Sequence, residues 1–481
     1  MKNVLHICSE CYPAAKAGGM GDVVGALPAY LPKHGINATV VIPKYKTPWF
    51  GKQSFNIIYE GSFEIGGQMQ SYSIQKLANS TLAFPFYCID LPGLFDRASI
   101  YLAEDGQGYR DEPMRNIAFQ TAVMEWLIRR YELFDVIHVH DHMTGLIPFF
   151  MLFCPRYKKL KNIPSVLSIH NGAYRGEFEW NEVRSFLPDF RNNDGGVLDW
   201  DGKINSLAAA IKCVWSIITV SPAYMLELIK DSDTLTPLYE SEIDKCKGIL
   251  NGIDAKLWDP RTDSYLDHHL KGTSRKNWSE FKSKNKFFLQ EQYKLKSERP
   301  LIGFIGRFAY QKGADLFLEA ITEAYKQNLE FNTIILGSGD KDLENMVVEL
   351  SNNYPKKIAA EIAYNEQLAR HIYAGSDFLI MPSRFEPCGL NQLYAMRYGT
   401  VPIVSHVGGL KDTVKDVSKK GEGIVLQDLN VEEIVHAIQR SKELYHKKNK
   451  FSNLINSISK LDYSWNNSAG IYAKLYKQHS K

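Results

Sequence analysis

Cysteine is scarce in this chain, with 7 in 481 residues. So few thiols, odd in number, exclude a disulfide framework as the scaffold and make reduced thiols the default. Long apolar runs are lacking too. The longest near the middle, LIPFFMLFC (146–154), falls far short of a membrane span. The opening MKNVLHICSE has too brief an apolar stretch for a secretory leader and meets Glu10 at once. Neither sign of charge dominates: 57 Lys and Arg against 54 Asp and Glu leave +3. That balance supplies no global field to draw the chain to nucleic acid or to a membrane surface. Finally, the glycine-rich stretch KAGGMGDVV (16–24) follows neither GxGxxG nor GxxxxGK[ST]. These absences leave a cytoplasmic globular protein with no nucleic-acid and no membrane partner.

What is present is an ordinary globular composition, 44% hydrophobic and 23% charged, in a chain long enough for two domains. Apolar runs at 4–8, 38–43, 135–140, 165–170 and 216–220 read as strands in the first half. Runs at 301–307, 332–337, 357–362, 377–382, 401–405 and 423–427 do so in the second. Several are continuous rather than alternating, which fits parallel strands covered on both faces. Strand–helix alternation occurring twice predicts an α/β protein of two doubly wound, Rossmann-like domains. Turn chemistry in CKGILNGIDAKLWDP (246–260) marks the boundary. The domains are set at 1–248 and 249–463, with a last helix over 464–481 whose Trp465, Ser468, Ala469, Tyr472 and Tyr476 share one apolar face. The basic stretch 271–299, nine Lys and Arg against three Asp and Glu, reads as a solvated helix. DWD (199–201) and DSD (231–233) read as loops.

Ligands of doubly wound domains sit beyond the carboxyl ends of the strands, and charge and glycine collect there. After the first strand, Gly18 and Gly19 allow close backbone approach and Lys16 adds a point charge; a plain structural turn is the alternative. Cys8 and Cys11 form a CxxC there, but no thioredoxin context follows it. HVHDHMTG places Asp141 at a strand end among His138, His140 and His142. Those histidines resemble metal ligands without an obvious fourth, and Asp141 serves equally well as a contact for a hydroxyl. His170 stands at another strand tip, as a hydrogen-bond donor or a core histidine. Arg307 and Lys312 supply two fixed cations suited to a diphosphate. Glu386 lies beside a proline turn where an acid would take ligand hydroxyls, just ahead of Gly389. GGLKDTV (408–414) echoes GGMGDVV (18–24), as if each domain presented a Gly-Gly turn to one cleft.

In order along the chain, KAGGMGDVVGALP, HVHDHMTGL, HNGAYRGEF, GILNGID, GRFAYQKG, SRFEPCGLNQLYAMRYGTVPIV and GGLKDTV resemble the motifs of bacterial glycogen synthases and plant starch synthases. The resemblance runs over almost the whole chain. It implies the glycosyltransferase-B fold, with an acceptor-side first domain, a donor-side second domain and a cleft between them, the last helix crossing back to the first domain. It implies retaining transfer of glucose from a nucleotide sugar, usually ADP-glucose, to the non-reducing end of glycogen or another α-1,4-glucan, releasing ADP. No cofactor and no metal are expected. By motif, Arg307 and Lys312 would neutralise the diphosphate, and Lys16, Gly18 and Gly19 would reach the distal phosphate and sugar. Glu386 with the backbone of Cys388, Gly389 and Leu390 would hold the donor sugar, Asn391 would stand near the phosphate, and Asp141 and His170 would face the transferring glucose or the acceptor. Tyr364 would lie against the adenine and Tyr394 near the ribose.

The chain departs from the family pattern at Met20 for Leu, His142 for Trp, Met143 for His and Asn391 for Thr, and Gly172 is smaller than usual, which predicts a looser loop there. Two alternatives accompany the leading reading: the same transfer from UDP-glucose, and an inactive glucan-binding homologue. Retention of Lys16, Asp141, Arg307, Lys312 and Glu386 favours an enzyme. A phosphorylase would need a cofactor lysine motif, which is not seen.

Overall fold

Every run read above as a strand contains one in the computed structural model, which describes residues 1–79, 81–97, 99–103 and 106–480. The chain divides into two units, Met1–Gly252 with Trp465–Lys481, and Ile253–Ser464. The division thus falls four residues beyond the boundary placed at 248/249. Lys481, the end of the expected helix 464–481, lies outside the described residues.

The first unit holds β1 (Lys2–Ile7), β2 (Ile36–Pro43), β3 (Phe55–Ile65), β4 (Gln68–Leu77), β5 (Phe86–Asp90) and β6 (Val136–His140). It continues with β7 (Ser165–Ile169), β8 (Glu177–Phe178), β9 (Asp199–Trp200), β10 (Lys203–Asn205), β11 (Ser216–Thr219) and β12 (Cys246–Gly248). Nine of these make one sheet in the order β12-β11-β7-β6-β1-β2-β5-β4-β3. It is parallel from β12 to β5, and β4 and β3 add an antiparallel edge. β6, β7 and β11 are buried throughout, as continuous apolar runs require. The second unit holds β13 (Leu301–Ile305), β14 (Asn332–Gly337), β15 (Ile358–Ile362), β16 (Phe378–Met381), β17 (Val401–Val404) and β18 (Ile424–Val425). They form a fully parallel sheet in the order β15-β14-β13-β16-β17-β18.

Each sheet has a point where the chain reverses its direction of growth. In the first it lies between β1 and β6, in the second between β13 and β16. Such switch points open a crevice, because the connections leave on opposite sides. The charged residues singled out in the sequence sit in the loops that leave these four strands.

The last helix, Trp465–His479, belongs to the first unit. Trp465, Ala469, Tyr472 and Tyr476 are buried against Val23, Leu27 and Leu31 of the helix Gly19–Tyr30 and its extension. Burying the three aromatic side chains contributes roughly 2–3 kcal/mol each, before the cost of ordering them. The apolar stripe is therefore core, and it fastens the chain's end behind the switch point.

Three expectations are corrected. The hairpin β3–β4, the strands β5 and β12 and the short sheet β8-β10-β9 are not among the strands the sequence predicts. β3 and β4 alternate toward a solvated face, so they lack the continuous apolar run; their signal was the Gly66 and Gly67 turn, both at positive φ. The basic helix Arg275–Gln292 is not wholly solvated. Lys282 turns inward to Thr400 Oγ1 at 2.5 Å, and Lys286 pairs with Asp377 at 2.6 Å. Asp199 lies on β9 rather than in a loop, accepting from Trp180 Nε1 at 2.8 Å.

Candidate active site

In the first unit the loop after β1 is held by a buried acid. Glu10 Oε2 accepts the N–H groups of Ala17 at 2.6 Å and Gly18 at 2.9 Å, and Oε1 accepts from the Tyr101 hydroxyl at 2.6 Å. A carboxylate thus already occupies the N–H groups of Ala17 and Gly18. Lys16 Nζ lies 2.7 Å from Asp22 in the first turn of the helix Gly19–Tyr30. A Cβ on Gly19 would meet nothing within 4 Å, and one on Gly18 only Glu10 Oε1 at 4.0 Å. The surface over this turn is open, and neither glycine is demanded by φ. Cys8 and Cys11 are buried, and desolvation pushes both thiols up, away from redox reactivity.

Asp141 follows β6 with φ 53° and ψ −174°. A side chain held there costs on the order of 1–3 kcal/mol, a strain that collects at functional sites. Asp141 is buried, and its Oδ1 accepts the backbone N–H of His170 at 2.6 Å, which ties the end of β6 to that of β7. Desolvation pushes its carboxyl up to about 7, against the pull of that amide. His170 Nε2 lies 2.9 Å from His140 Nδ1, so Asp141, His140 and His170 form one constellation. The Gly172 loop is not loose, contrary to expectation: its N–H donates to the buried Tyr224 hydroxyl at 2.7 Å, and a Cβ would crowd Leu228 at 3.0 Å.

The histidines of HVHDH separate. His138 and His140 join His6 of β1 in a buried group. Both ring nitrogens of His138 and of His140 lie within hydrogen-bond distance of partners: Tyr476 and Ser168 for His138, His170 and His6 for His140. His142 stands apart, with Nε2 3.4 Å from Glu112, whose carboxyl this contact holds below its usual range. The geometry favours a hydrogen-bonded histidine chain over a ligand set.

In the second unit the loops after β13 and β16 interlock. Gly313 has φ +65°, and a Cβ there would lie 1.9 Å from Pro382 O, so only glycine permits the approach. That approach puts Lys312 Nζ 2.6 Å from Glu386 Oε2, an oxygen that also accepts from Ser383 Oγ at 3.0 Å. Glu386 Oε1 takes no hydrogen bond among the described residues and is the acceptor left for a ligand. Arg307 is exposed, with its guanidinium 3.5 Å from Gln311 Oε1. It borders an open pocket of about 570 Å³ that also takes in Tyr310 and Asp340. Arg384 forks onto Asp315 at 2.7 Å and lies 3.6 Å over the Tyr310 ring, which stiffens the pocket rim.

The remaining expected residues fall around this pair. Cys388 and Gly389 are buried, and their carbonyls accept from Gln392 Nε2 at 3.1 and 3.0 Å. Leu390 precedes the helix Asn391–Arg397. Asn391 donates to Ile305 O at 2.8 Å, so this side chain braces the end of β13. Tyr364, beyond β15, is 84% exposed, an aromatic face with no cover. Tyr394 stacks on Trp258 with centroids 3.6 Å apart, which takes one face of its ring. The Gly-Gly echo changes meaning: Gly408 and Gly409 lie against the carbonyls of Glu386 and Cys388 and support that loop from below. Sequence reasoning missed Glu10, Ser383 and His6. Glu10 had a signal, an acid directly after an apolar strand; the others are ordinary until the strands are side by side.

The starch synthase catalytic domain family matches residues 3–241, and the group 1 glycosyl transferases match residues 285–456. A glycogen synthase of Flavobacterium johnsoniae is 41% identical over 474 residues, covering 98% of each chain. The catalytic domain of starch synthase IV from Arabidopsis thaliana, solved bound to ADP and acarbose, has a TM-score of 0.87 at 28% identity, covering 100% of this chain and 99% of that one. Sucrose-phosphate synthase from Thermosynechococcus elongatus, at TM-score 0.61 and 16% identity over 99% of each chain, shares the glycosyltransferase-B fold alone.

Proposed function

The chain belongs to the glycogen synthase and starch synthase family of hexosyltransferases, and we propose that it transfers glucose from ADP-glucose, with retention, to the non-reducing end of an α-1,4-glucan, releasing ADP. The observation that carries this reading is the Lys312–Glu386 pair at the switch point of the second sheet, with Glu386 Oε1 left open. The ADP in the starch synthase IV structure supports an adenine nucleotide donor.

As the bond from glucose to diphosphate breaks, negative charge grows on the departing phosphate. Arg307 and Lys312 are cations already placed on one loop, so they stabilise that charge without reorganising. Lys312 is itself positioned by Glu386. Glu386 Oε1 then accepts a hydroxyl of the donor sugar, and the backbone of Cys388, Gly389 and Leu390 borders it. Tyr364 offers its exposed face to adenine, and Tyr394 and Asn391 stand near the ribose and phosphate. In the first unit Asp141 and His170 serve the transferring glucose or the acceptor. Lys16 reaches the distal phosphate by exchanging Asp22 for it, beside the open turn of Gly18 and Gly19. Same-face attack, with the leaving phosphate helping to take the acceptor proton, is the proposed route to retention.

The test is incorporation of labelled glucose into glycogen from ADP-glucose and, in parallel, from UDP-glucose. ADP-glucose is expected to be the better donor by at least about tenfold in kcat/KM. Folded protein that uses neither donor overturns the activity, and preference for UDP-glucose overturns the donor.

A further inference from the structure

Three histidines from three neighbouring strands form a single file into the first unit. His170 Nε2 is 2.9 Å from His140 Nδ1, and His140 Nε2 is 3.1 Å from His6 Nδ1. The file ends at His6 Nε2, which is buried and has no hydrogen-bond partner among the described residues. At the other end His170 is partly exposed, and its Nδ1 takes no hydrogen bond among the described residues. The register that builds the file is tight: β1 and β6 pair His6 with His138, and the next inward-facing residue of β6 is His140. His138 stacks on His140 with ring centroids 4.3 Å apart and is itself held by Tyr476 and Ser168. His6 packs against the same His138 ring with centroids 4.7 Å apart, so both inner rings lie against it.

A neutral imidazole has one N–H and one lone pair. Burial keeps the inner rings neutral: desolvation lowers His6 to about 3 and takes His140 well below its usual range, and it lowers His170 at the mouth of the file as well. With two hydrogen bonds among three neutral rings, only two proton arrangements are consistent. If the protons sit on Nδ1 of all three, His6 donates to His140, His140 donates to His170, and the bare end at His6 Nε2 is a lone pair. If they sit on Nε2 of all three, every bond reverses and His6 Nε2 becomes a buried N–H with no acceptor. Orphaned buried N–H groups are rare because they forfeit a full desolvation penalty. The first arrangement is favoured, and it leaves His170 with a proton on its outer nitrogen.

We propose that His140 and His6 are positioning residues that fix His170 as the Nδ1–H tautomer, so that it presents a hydrogen-bond donor to a sugar oxygen. The link to sugar rests on the function proposed above; the tautomer does not. Outer partners that fix the tautomer of a metal-ligating histidine matter by about 10–100-fold, and an effect of that order is expected for the rings behind His170.

The experiment uses the full chain labelled with ¹⁵N-histidine. Ring proton–nitrogen correlations in NMR report which nitrogen of His170, His140 and His6 carries the proton. Nδ1–H at all three is expected; Nε2–H at His170 overturns the proposal, whether or not the protein transfers glucose. Turnover then separates positioning from packing. His140→Leu should lower kcat by at least about tenfold with KM for the nucleotide sugar within about threefold. His140→Asn, which keeps an N–H near the former Nδ1, should recover most of that loss. Equal losses in Leu and Asn variants of intact fold also overturn the proposal. Should His140→Leu fail to fold, His6→Phe serves in its place: it should release His170 to a mixture of tautomers, and an unchanged His170 spectrum removes His6 from the file.

Discussion

A Cβ on Gly408 would lie 2.1 Å from Glu386 O, and one on Gly409 would lie 2.1 Å from Cys388 O, whereas a Cβ on Gly19 would meet nothing within 4 Å. GGLKDTV and GGMGDVV share Gly-Gly-apolar-x-Asp-x-Val, yet only the turn of the second unit requires its glycines for packing. In the second unit the glycines let one backbone lie directly on another, and the loop they support carries Glu386. In the first unit no protein atom crowds the turn, and its amides are held by the carboxylate of Glu10. The acids differ in the same way. Glu386 is paired with Lys312, while Asp141 is desolvated, strained and, among the described residues, held by the backbone amides of His170 and Asn171. One unit has a finished, cross-braced site; the other has an open turn and an uncompensated acid.

The two turns differ most at Gly408. Gly408→Ala should cost about 1–3 kcal/mol or more through the backbone clash. It should also lower turnover at least about a hundredfold by displacing Glu386, read by thermal unfolding and by glucose transfer. A variant of normal stability and activity would mean that the two turns are alike after all. Next in size, Glu386→Ala and Lys312→Ala should each lower turnover by at least about tenfold with the fold intact. Because the two side chains share one contact, the double variant should lose far less than the product of the single losses. Glu10→Gln comes third. The neutral amide can still turn its one oxygen to the N–H groups of Ala17 and Gly18 and its NH₂ to the Tyr101 hydroxyl, but it replaces charge-assisted hydrogen bonds with neutral ones, so kcat/KM should fall several-fold, with a loss of about 1–2 kcal/mol.

Asp141 gives a smaller, pH-dependent effect. Its folded carboxyl titrates at about 7, above the unfolded value near 3.9. The folded state therefore binds the extra proton between these values, and stability is lost as pH rises through about 7. Asp141→Asn removes that loss. Its melting temperature should match the parent near pH 4 and exceed it at pH 8, the gap amounting to a few kcal/mol at most, while transfer activity falls. A gap that is constant with pH would show that Asp141 is not desolvated in the fold. Smallest of all, Gly19→Ala should alter stability by no more than about 0.5 kcal/mol, since the space is empty and the residue begins a helix. Its effect on KM for the nucleotide sugar then reports what approaches the turn.

The strands that carry the site were legible because both faces of each are covered, which demands continuous apolar runs such as those of β6 and β16. β3 and β4 were not, because one face of that hairpin meets water and the apolar signal is halved. Asp141, His170, Arg307, Lys312 and Glu386 were legible for a related reason: a charged or polar group just past a buried strand stands where doubly wound sheets bind ligands. Lys282 misled because a basic residue on an amphipathic helix reads as solvated, and only its contact with Thr400 shows otherwise.

Local pattern and residue type were enough to mark the buried parallel strands and the chemistry that stands just past them, since a strand covered on both faces demands a continuous apolar run. Tertiary structure alone decided the partners. Glu10 reaches the amides of Gly18, His6 stands behind His140, and Gly408 lies under Glu386 because strand order brings together segments far apart in the chain. Local pattern sets what a residue can offer, but hydrogen bonds and close packing act over a few ångströms in space, whatever the distance along the chain.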